Sequence, residues 1–156
     1  MMEFRQLQAS EPLPMDLLLE ADPSEELICA YCASSWCIVA EQKDIAVGVY
    51  VLLPLSETTV EIKNIAVAEG LRGHGYGRQL LQHALAESAR RGFEFVEIGT
   101  GNSSFGQLAL YQKCGFRLHA IDTDFFRRNY SEPIFENGIE CRDMVRLRYT
   151  ISKGLL

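Results

Sequence analysis

Three glycines separated by single residues constrain this chain more than any other feature in it. They stand in Ile65-Ala66-Val67-Ala68-Glu69-Gly70-Leu71-Arg72-Gly73-His74-Gly75-Tyr76-Gly77-Arg78, where a strand-like run ends and a helical pattern begins. Glycine has no Cβ, so the backbone can turn tightly there and aim several N–H groups at one anion. The start of the following helix adds partial positive charge, about 0.3–1 kcal/mol for an exposed anionic group. A strand, a glycine turn and a helix in this order predict an α/β fold with a phosphate site at the turn.

Three phosphate-binding patterns compete for the stretch. A P-loop needs Lys followed by Ser or Thr after its last glycine, but Gly77 is followed by Arg78-Gln79. A dinucleotide fingerprint needs a third small residue; that place is Arg78 when counted from Gly73 and Leu80 when counted from Gly75. The third pattern, Arg-x-x-Gly-x-Gly, is matched in full by Arg72, Gly75 and Gly77. A plain turn without a ligand is the remaining alternative, although three glycines there cost entropy that it would avoid. Downstream, Glu97-Ile98-Gly99-Thr100-Gly101 looks like the cofactor motif of a methyltransferase, but too little chain follows Gly101 for the strand–helix units such a fold needs.

The rest of the chain alternates strand and helix. Residues 4–8 read as a first strand, and 16–21 and 24–33 as helices, the second with Ser24 as N-cap. Residues 36–41, 45–53 and 59–67 are runs rich in β-branched and aromatic residues. Polar pairs, Lys43-Asp44 and Ser56-Glu57, separate them, which predicts an antiparallel meander. The helix at 75–91 repeats Leu80, Leu81, Ala84, Leu85 and Ser88 on one face and ends at Gly92. A strand at 93–98, a helix at 104–113 stopped by Gly115, and strands at 116–121 and 144–151 complete the pattern. Residues 122–143 form a long aromatic-rich connection. No repeat or linker breaks the chain, so residues 1–156 are expected to form one mixed α/β domain with a parallel strand–helix–strand crossover at its centre.

Composition narrows the partners. The 156 residues carry a net charge of −6, against the basic face that nucleic acid requires. A negative field mildly favours cationic ligands such as amines. No apolar run approaches the roughly 18–20 residues that span a bilayer, and the start lacks the basic and apolar regions of a secretory signal. A cytoplasmic protein with no membrane partner is expected. The five cysteines, Cys29, Cys32, Cys37, Cys114 and Cys141, are odd in number and irregular in spacing, and are read as free thiols with no metal site.

Two motifs together carry a resemblance. Arg72-x-x-Gly75-x-Gly77 on a strand–helix turn is followed, after a helix and a strand, by Ala109-Leu110-Tyr111-Gln112-Lys113-Cys114-Gly115-Phe116. In that order they resemble the GNAT-type N-acetyltransferases over roughly residues 36–151. The resemblance implies a mixed central sheet of antiparallel N-terminal strands and a parallel, splayed central pair, flanked by helices. It implies acetyl-CoA as co-substrate, with no metal, and direct transfer of its acetyl group to an amine of a small molecule or a protein.

Residue roles follow from the same resemblance. The amides of Arg72, Gly73, His74, Gly75, Tyr76, Gly77 and Arg78 hold the CoA pyrophosphate. Ile65, Ala66 and Val67 pair their backbone with pantetheine, and one N–H there polarises the thioester carbonyl. Asn102 contacts pantetheine from the other side of the splayed sheet. Here that asparagine lies nine residues before Tyr111 rather than the usual seven, and Ser104 takes the expected place, so the contact stays open between the two. Tyr111 is the general acid for the leaving thiolate, with packing against Phe116 as its plain alternative. Glu61 is the candidate general base, with Glu97, Asp122 and a water chain as rivals. The 122–143 segment borders the acceptor site, or else seals a sheet edge or a homodimer contact. A CoA-binding module that senses without catalysing is the alternative to an enzyme, and Tyr111 speaks for the enzyme.

Overall fold

Strand runs that alternate with short polar turns fold back on one another at the start of the chain. The computed structural model describes residues 2–151, which group into two compact units, one ending at Phe93 and the other beginning at Glu94. The first unit contains β1 (Glu3–Gln6), α1 (Met15–Ala21), α2 (Glu25–Cys32), β2 (Trp36–Gln42), β3 (Ile45–Pro54) and β4 (Thr59–Val67). A 3-10 turn at Glu69–Leu71 and α3 (Tyr76–Arg90) follow. The four strands pair antiparallel in chain order. Lys43 and Asp44 turn between β2 and β3 with positive φ of 50° and 66°, the twist that a tight hairpin demands.

Burial explains the layers of this unit. Leu18 and Ile28, on α1 and α2, are fully enclosed against Val39, Val49 and Val51 of the sheet. Ser24 caps α2 as its sequence context predicts, accepting from the Leu27 amide at 3.2 Å. On α3 the buried residues are Leu80, Leu81, Ala84 and Ser88, while Leu85 is half-buried. Gly48 on β3 admits Leu80: a Cβ there would stand 3.0 Å from Leu80 Cδ1. His83, on the same helix, shares a hydrogen bond of 2.8 Å with the Tyr50 hydroxyl and stacks on Phe4; its burial lowers the imidazole pKa. The helix closes with Gly92 at φ 88°, and Phe93 and Gly92 donate back to Ser88 and Ala89. That is a Schellman cap.

The second unit contains β5 (Phe95–Gly101), α4 (Phe105–Lys113), β6 (Arg117–Asp122), α5 (Phe125–Asn129), β7 (Phe135–Glu136), β8 (Ile139–Glu140) and β9 (Met144–Thr150). β9 lies between β5 and β6 and pairs antiparallel with both. α4 ends in a second Schellman cap, with Phe116 donating to Tyr111 and Gly115 to Gln112, both at 3.0 Å. Gly115 takes φ 100°, and a Cβ there would lie 2.9 Å from the Tyr149 ring. Residues 122–143 are more ordered than a long connection: they hold α5 and the β7–β8 hairpin, turned by Asn137 and Gly138 at φ 55° and 75°. An Asn-Gly pair is the strongest local hairpin signal. No described helix is long and apolar enough to cross a membrane.

Candidate active site

The glycine turn faces open space. Gly73 and Gly75 adopt φ of 82° and 81°, and a Cβ at either would meet nothing within 4 Å. The glycines therefore serve backbone shape and leave open space in front of it. Gly75 is the N-cap of α3 in left-handed conformation, and no side chain caps the helix. The first helical bond runs from the Gln79 amide to the Gly75 carbonyl at 3.1 Å. The amides of Tyr76, Gly77 and Arg78, which a helix start leaves without intrahelical partners, consequently have no acceptor among the described residues. The Arg72 side chain pairs with Glu20 on α1. Tyr76 is anchored through its hydroxyl, which accepts from Gln42 at 3.1 Å.

The strand that feeds this turn carries a bulge. Val51 on β3 faces Asn64, and the next residue, Leu52, faces Ile62. Lys63 is thus the extra residue on β4, and such bulges re-aim side chains and recur beside active sites. Asn64 is 4% exposed and ties the bulge to both N-terminal helices: its Nδ2 donates to Leu18 O at 3.1 Å and to the Tyr31 hydroxyl at 3.0 Å. Tyr31 donates in turn to Asp22 at 3.2 Å. Burial raises its phenol pKa. Glu61 is 5% exposed, with Lys63 Nζ 3.8 Å away. A solvent-facing carboxylate on a strand is commonplace; an enclosed one beside a bulge is a feature to be explained. Ile65 and Val67 are half-buried and Ala66 is buried.

In the second unit Tyr111 is 5% exposed on α4, its ring 6.1 Å from that of Phe116. Its hydroxyl has no hydrogen-bond partner among the described residues and is not among the sealed, unpartnered side-chain oxygens. Burial drives the phenol pKa upward. Asn102 is committed within its own unit: Oδ1 accepts from the amides of Arg142 and Asp143 at 2.8 and 3.0 Å, and Nδ2 donates to Glu140 O at 3.1 Å. The Ser104 hydroxyl donates to Glu136 at 2.6 Å. Asn102→Ala is expected to remove the tie on 140–143 and cost about 2 kcal/mol, read as a fall of several degrees in Tm. Two rival bases are held in ion pairs: Glu97 by Arg148 at 2.5 Å, and Asp122 by Arg128 and Arg146. Gly99 and Gly101 lie inside β5, where added Cβ atoms would strike Met144 Sδ at 2.5 Å and Cys141 Sγ at 2.2 Å. They serve packing, which disposes of the methyltransferase motif.

The model of the acetyltransferase (GNAT) family matches residues 2–116. The chain belongs to the GNAT acetyltransferase family. A GNAT relative in Bacillus subtilis, named uncharacterized N-acetyltransferase YvbK, is 56% identical over 132 residues, 85% of either chain. A GNAT family acetyltransferase from Elizabethkingia anophelis, solved with acetyl-CoA bound, is 47% identical. It superimposes with a TM-score of 0.94 over 96% of this chain and 98% of its own. A Bacillus subtilis acetyltransferase solved in complex with CoA is 48% identical, with a TM-score of 0.90 over 97% and 100% of the two chains. This GNAT chain is accordingly an acyltransferase of the N-acetyltransferase class, with the α/β fold of the family.

Other features of this chain leave no mark in the residue order. Nothing in the residue order marks the Lys63 bulge or the Asn64–Tyr31–Asp22 chain, because both depend on strand register and on helices distant in sequence. The cavity in the second unit was equally hidden. It measures about 470 Å³ and is lined by Phe126, Tyr130, Ile134, Phe135, Arg127 and Glu140 among others. Arg127 and Glu140 close one side as a two-pronged pair, both bonds 2.8 Å. The cysteines are free. Burial pushes Cys32 to about 11 and Cys37 to about 12, away from thiolate chemistry at neutral pH.

Proposed function

We propose that this chain transfers the acetyl group of acetyl-CoA directly to an amine, and that residues 1–156 act as one catalytic domain. The observation that carries the reading is the uncapped start of α3, where Gly73 and Gly75 hold left-handed conformations in front of free amides. Amides 72–78 bind the CoA pyrophosphate there. The backbone of Ile65, Ala66 and Val67 pairs with pantetheine, one of its N–H groups stabilising the oxyanion as the carbonyl becomes tetrahedral. Asn102 or Ser104 adds a further pantetheine contact. Since both Asn102 Oδ1 positions are taken by backbone amides, its part would be that of a donor.

The chemistry balances without a covalent enzyme intermediate. The amine lone pair forms the new C–N bond, the tetrahedral adduct collapses, and the C–S bond breaks with its electrons on sulfur. Tyr111 supplies a proton to that sulfur, and Glu61 takes one from the attacking nitrogen, directly or through water. The free Tyr111 hydroxyl and the enclosed Glu61 carboxylate support these roles. Glu61→Gln is expected to lower kcat at least about tenfold, with KM for acetyl-CoA unchanged. An unaltered kcat would move the base to water.

The acceptor is an amine, and the 122–143 segment is its selector in this reading. Arg127 and Arg128 are already paired with Glu140 and Asp122, which disfavours recognition of an acceptor carboxylate and leaves an apolar, aromatic cavity for the body of the amine. A cytoplasmic location fits a reaction that consumes acetyl-CoA. Calorimetric titration tests the cofactor: acetyl-CoA is expected to bind, and NAD, ATP and S-adenosylmethionine are not. Binding of any of these three in place of acetyl-CoA would refute the assignment of the turn.

A further inference from the structure

We propose that the cavity of the second unit is a binding site for an organic cation, a positively charged nitrogen carried on an apolar body. Phe126, Tyr130, Phe135 and Glu132 line it, and its volume of about 470 Å³ is that of a small-molecule site. Phe126 and Tyr130 stand four residues apart on the turn of α5, so their side chains share a face. Their rings stack 5.8 Å apart at an angle of 25°. Phe135, on the β7–β8 hairpin, is 65% exposed. Aromatic faces attract a cation within about 6 Å of the ring centroid and also cover an apolar chain.

Charge decides the sign of the ligand. Residues 122–143 hold six carboxylates and three arginines. Every arginine is committed: Arg127 pairs with Glu140, Arg128 with Asp122 and Arg142 with Asp124. Of the three remaining carboxylates, Glu136 accepts from the Ser104 hydroxyl at 2.6 Å and Asp143 from the Asp124 amide at 2.9 Å. Glu132 alone of the six has no hydrogen-bond or ion-pair partner among the described residues, and it lines the cavity. The cation in that lining, Arg127, is matched by both oxygens of Glu140. An anionic ligand would therefore meet Glu132 and no free guanidinium, whereas a cationic one supplies the missing partner. Resting on the reading of 122–143 as the selector, this charge also narrows the acceptor. A nitrogen that attacks the thioester must bring a lone pair, so a nitrogen held as a cation at Glu132 is not the one that reacts. The acceptor is then a diamine or polyamine, acetylated at one amine and held by a second, protonated one.

Calorimetry of the full chain without acetyl-CoA isolates the binding. Phenethylammonium, phenethyl alcohol and hydrocinnamate share a ring and differ in charge. The ammonium is expected to bind about tenfold tighter than the alcohol, and the carboxylate not at all. Glu132→Gln, at an exposed position, should bring the ammonium down to the level of the alcohol. No ammonium binding, equal affinity for ammonium and alcohol, or an ammonium Kd indifferent to Glu132→Gln would each overturn the proposal. In turnover, kcat/KM for a four-carbon diamine should exceed that for butylamine about tenfold, and Glu132→Gln should erase the preference. Transfer without that preference would refute the acceptor class. A chain that binds the ammonium as expected but acetylates no amine would refute the transferase reading and leave the cation site standing.

Discussion

Gly75→Asp is expected to raise the Kd for acetyl-CoA on the order of a hundredfold while leaving the fold intact. Two physical terms separate in this variant. The backbone at Gly75 has φ 81°, a region costing most L-residues about 1–2 kcal/mol but one that Asp enters more readily than Ala. The open space in front of it, with nothing within 4 Å of a built Cβ, means that the side chain itself meets no steric barrier. What changes is charge. A carboxylate about 5 Å from a phosphate oxygen costs roughly 3 kcal/mol at an effective dielectric constant near 20, which corresponds to about a hundredfold in Kd. Gly75→Ala is the control: it adds the backbone strain without the charge, so Tm should fall while affinity stays within about tenfold. Calorimetry on both variants reads the difference. Normal binding by the Asp variant would mean that the turn is not the pyrophosphate site.

Tyr111→Phe should lower kcat by about 10²–10³, within the range for loss of a general acid, with KM for acetyl-CoA nearly constant. The ring stays, so its contact with Phe116 and the burial of the side chain are preserved; only a hydroxyl with no partner among the described residues is removed. A structural tyrosine whose hydroxyl bonds nothing would show no rate effect. The pH dependence follows from burial, which raises the phenol pKa above its ordinary value near 10. The acid form is the active one and is lost only as pH rises through that raised value. No descending limb from Tyr111 should therefore appear below about pH 10. Initial rates of the wild type and the Phe variant up to that pH check both statements, and full activity in the variant would return Tyr111 to packing.

The parts legible in the residue order are those whose physics is local. Left-handed glycines, helix caps and the strand–helix alternation depend on a few neighbouring residues, and Gly73, Gly75, Gly92, Gly115 and Ser24 all take the conformations their contexts demand. The Asn137-Gly138 turn was equally local, yet it lay inside a stretch read as one long connection; the two-residue strands beside it are too short to show alternation. What stayed hidden depends on register. The Lys63 bulge exists because β3 and β4 shift by one residue after Val51, and the Asn64 side chain reaches Leu18 and Tyr31, both distant in sequence. Asn102 shows a different limit. Its residue type and place are legible, but three of its four side-chain hydrogen-bonding positions are taken by residues 140–143, a partner no local pattern announces.

The central claim, acetyl transfer from acetyl-CoA to an amine, is tested most directly by following CoA thiol release and acetylated product together across a panel of amines. At least one amine is expected to release thiol in a one-to-one ratio with its N-acetyl product, and initial-rate lines for the two substrates should intersect, as a ternary complex requires. Tight acetyl-CoA binding with no amine-dependent release of thiol across polyamines, aminoglycosides, amino acids and peptide amines would contradict the account and leave a chain that binds acetyl-CoA without transferring its acetyl group.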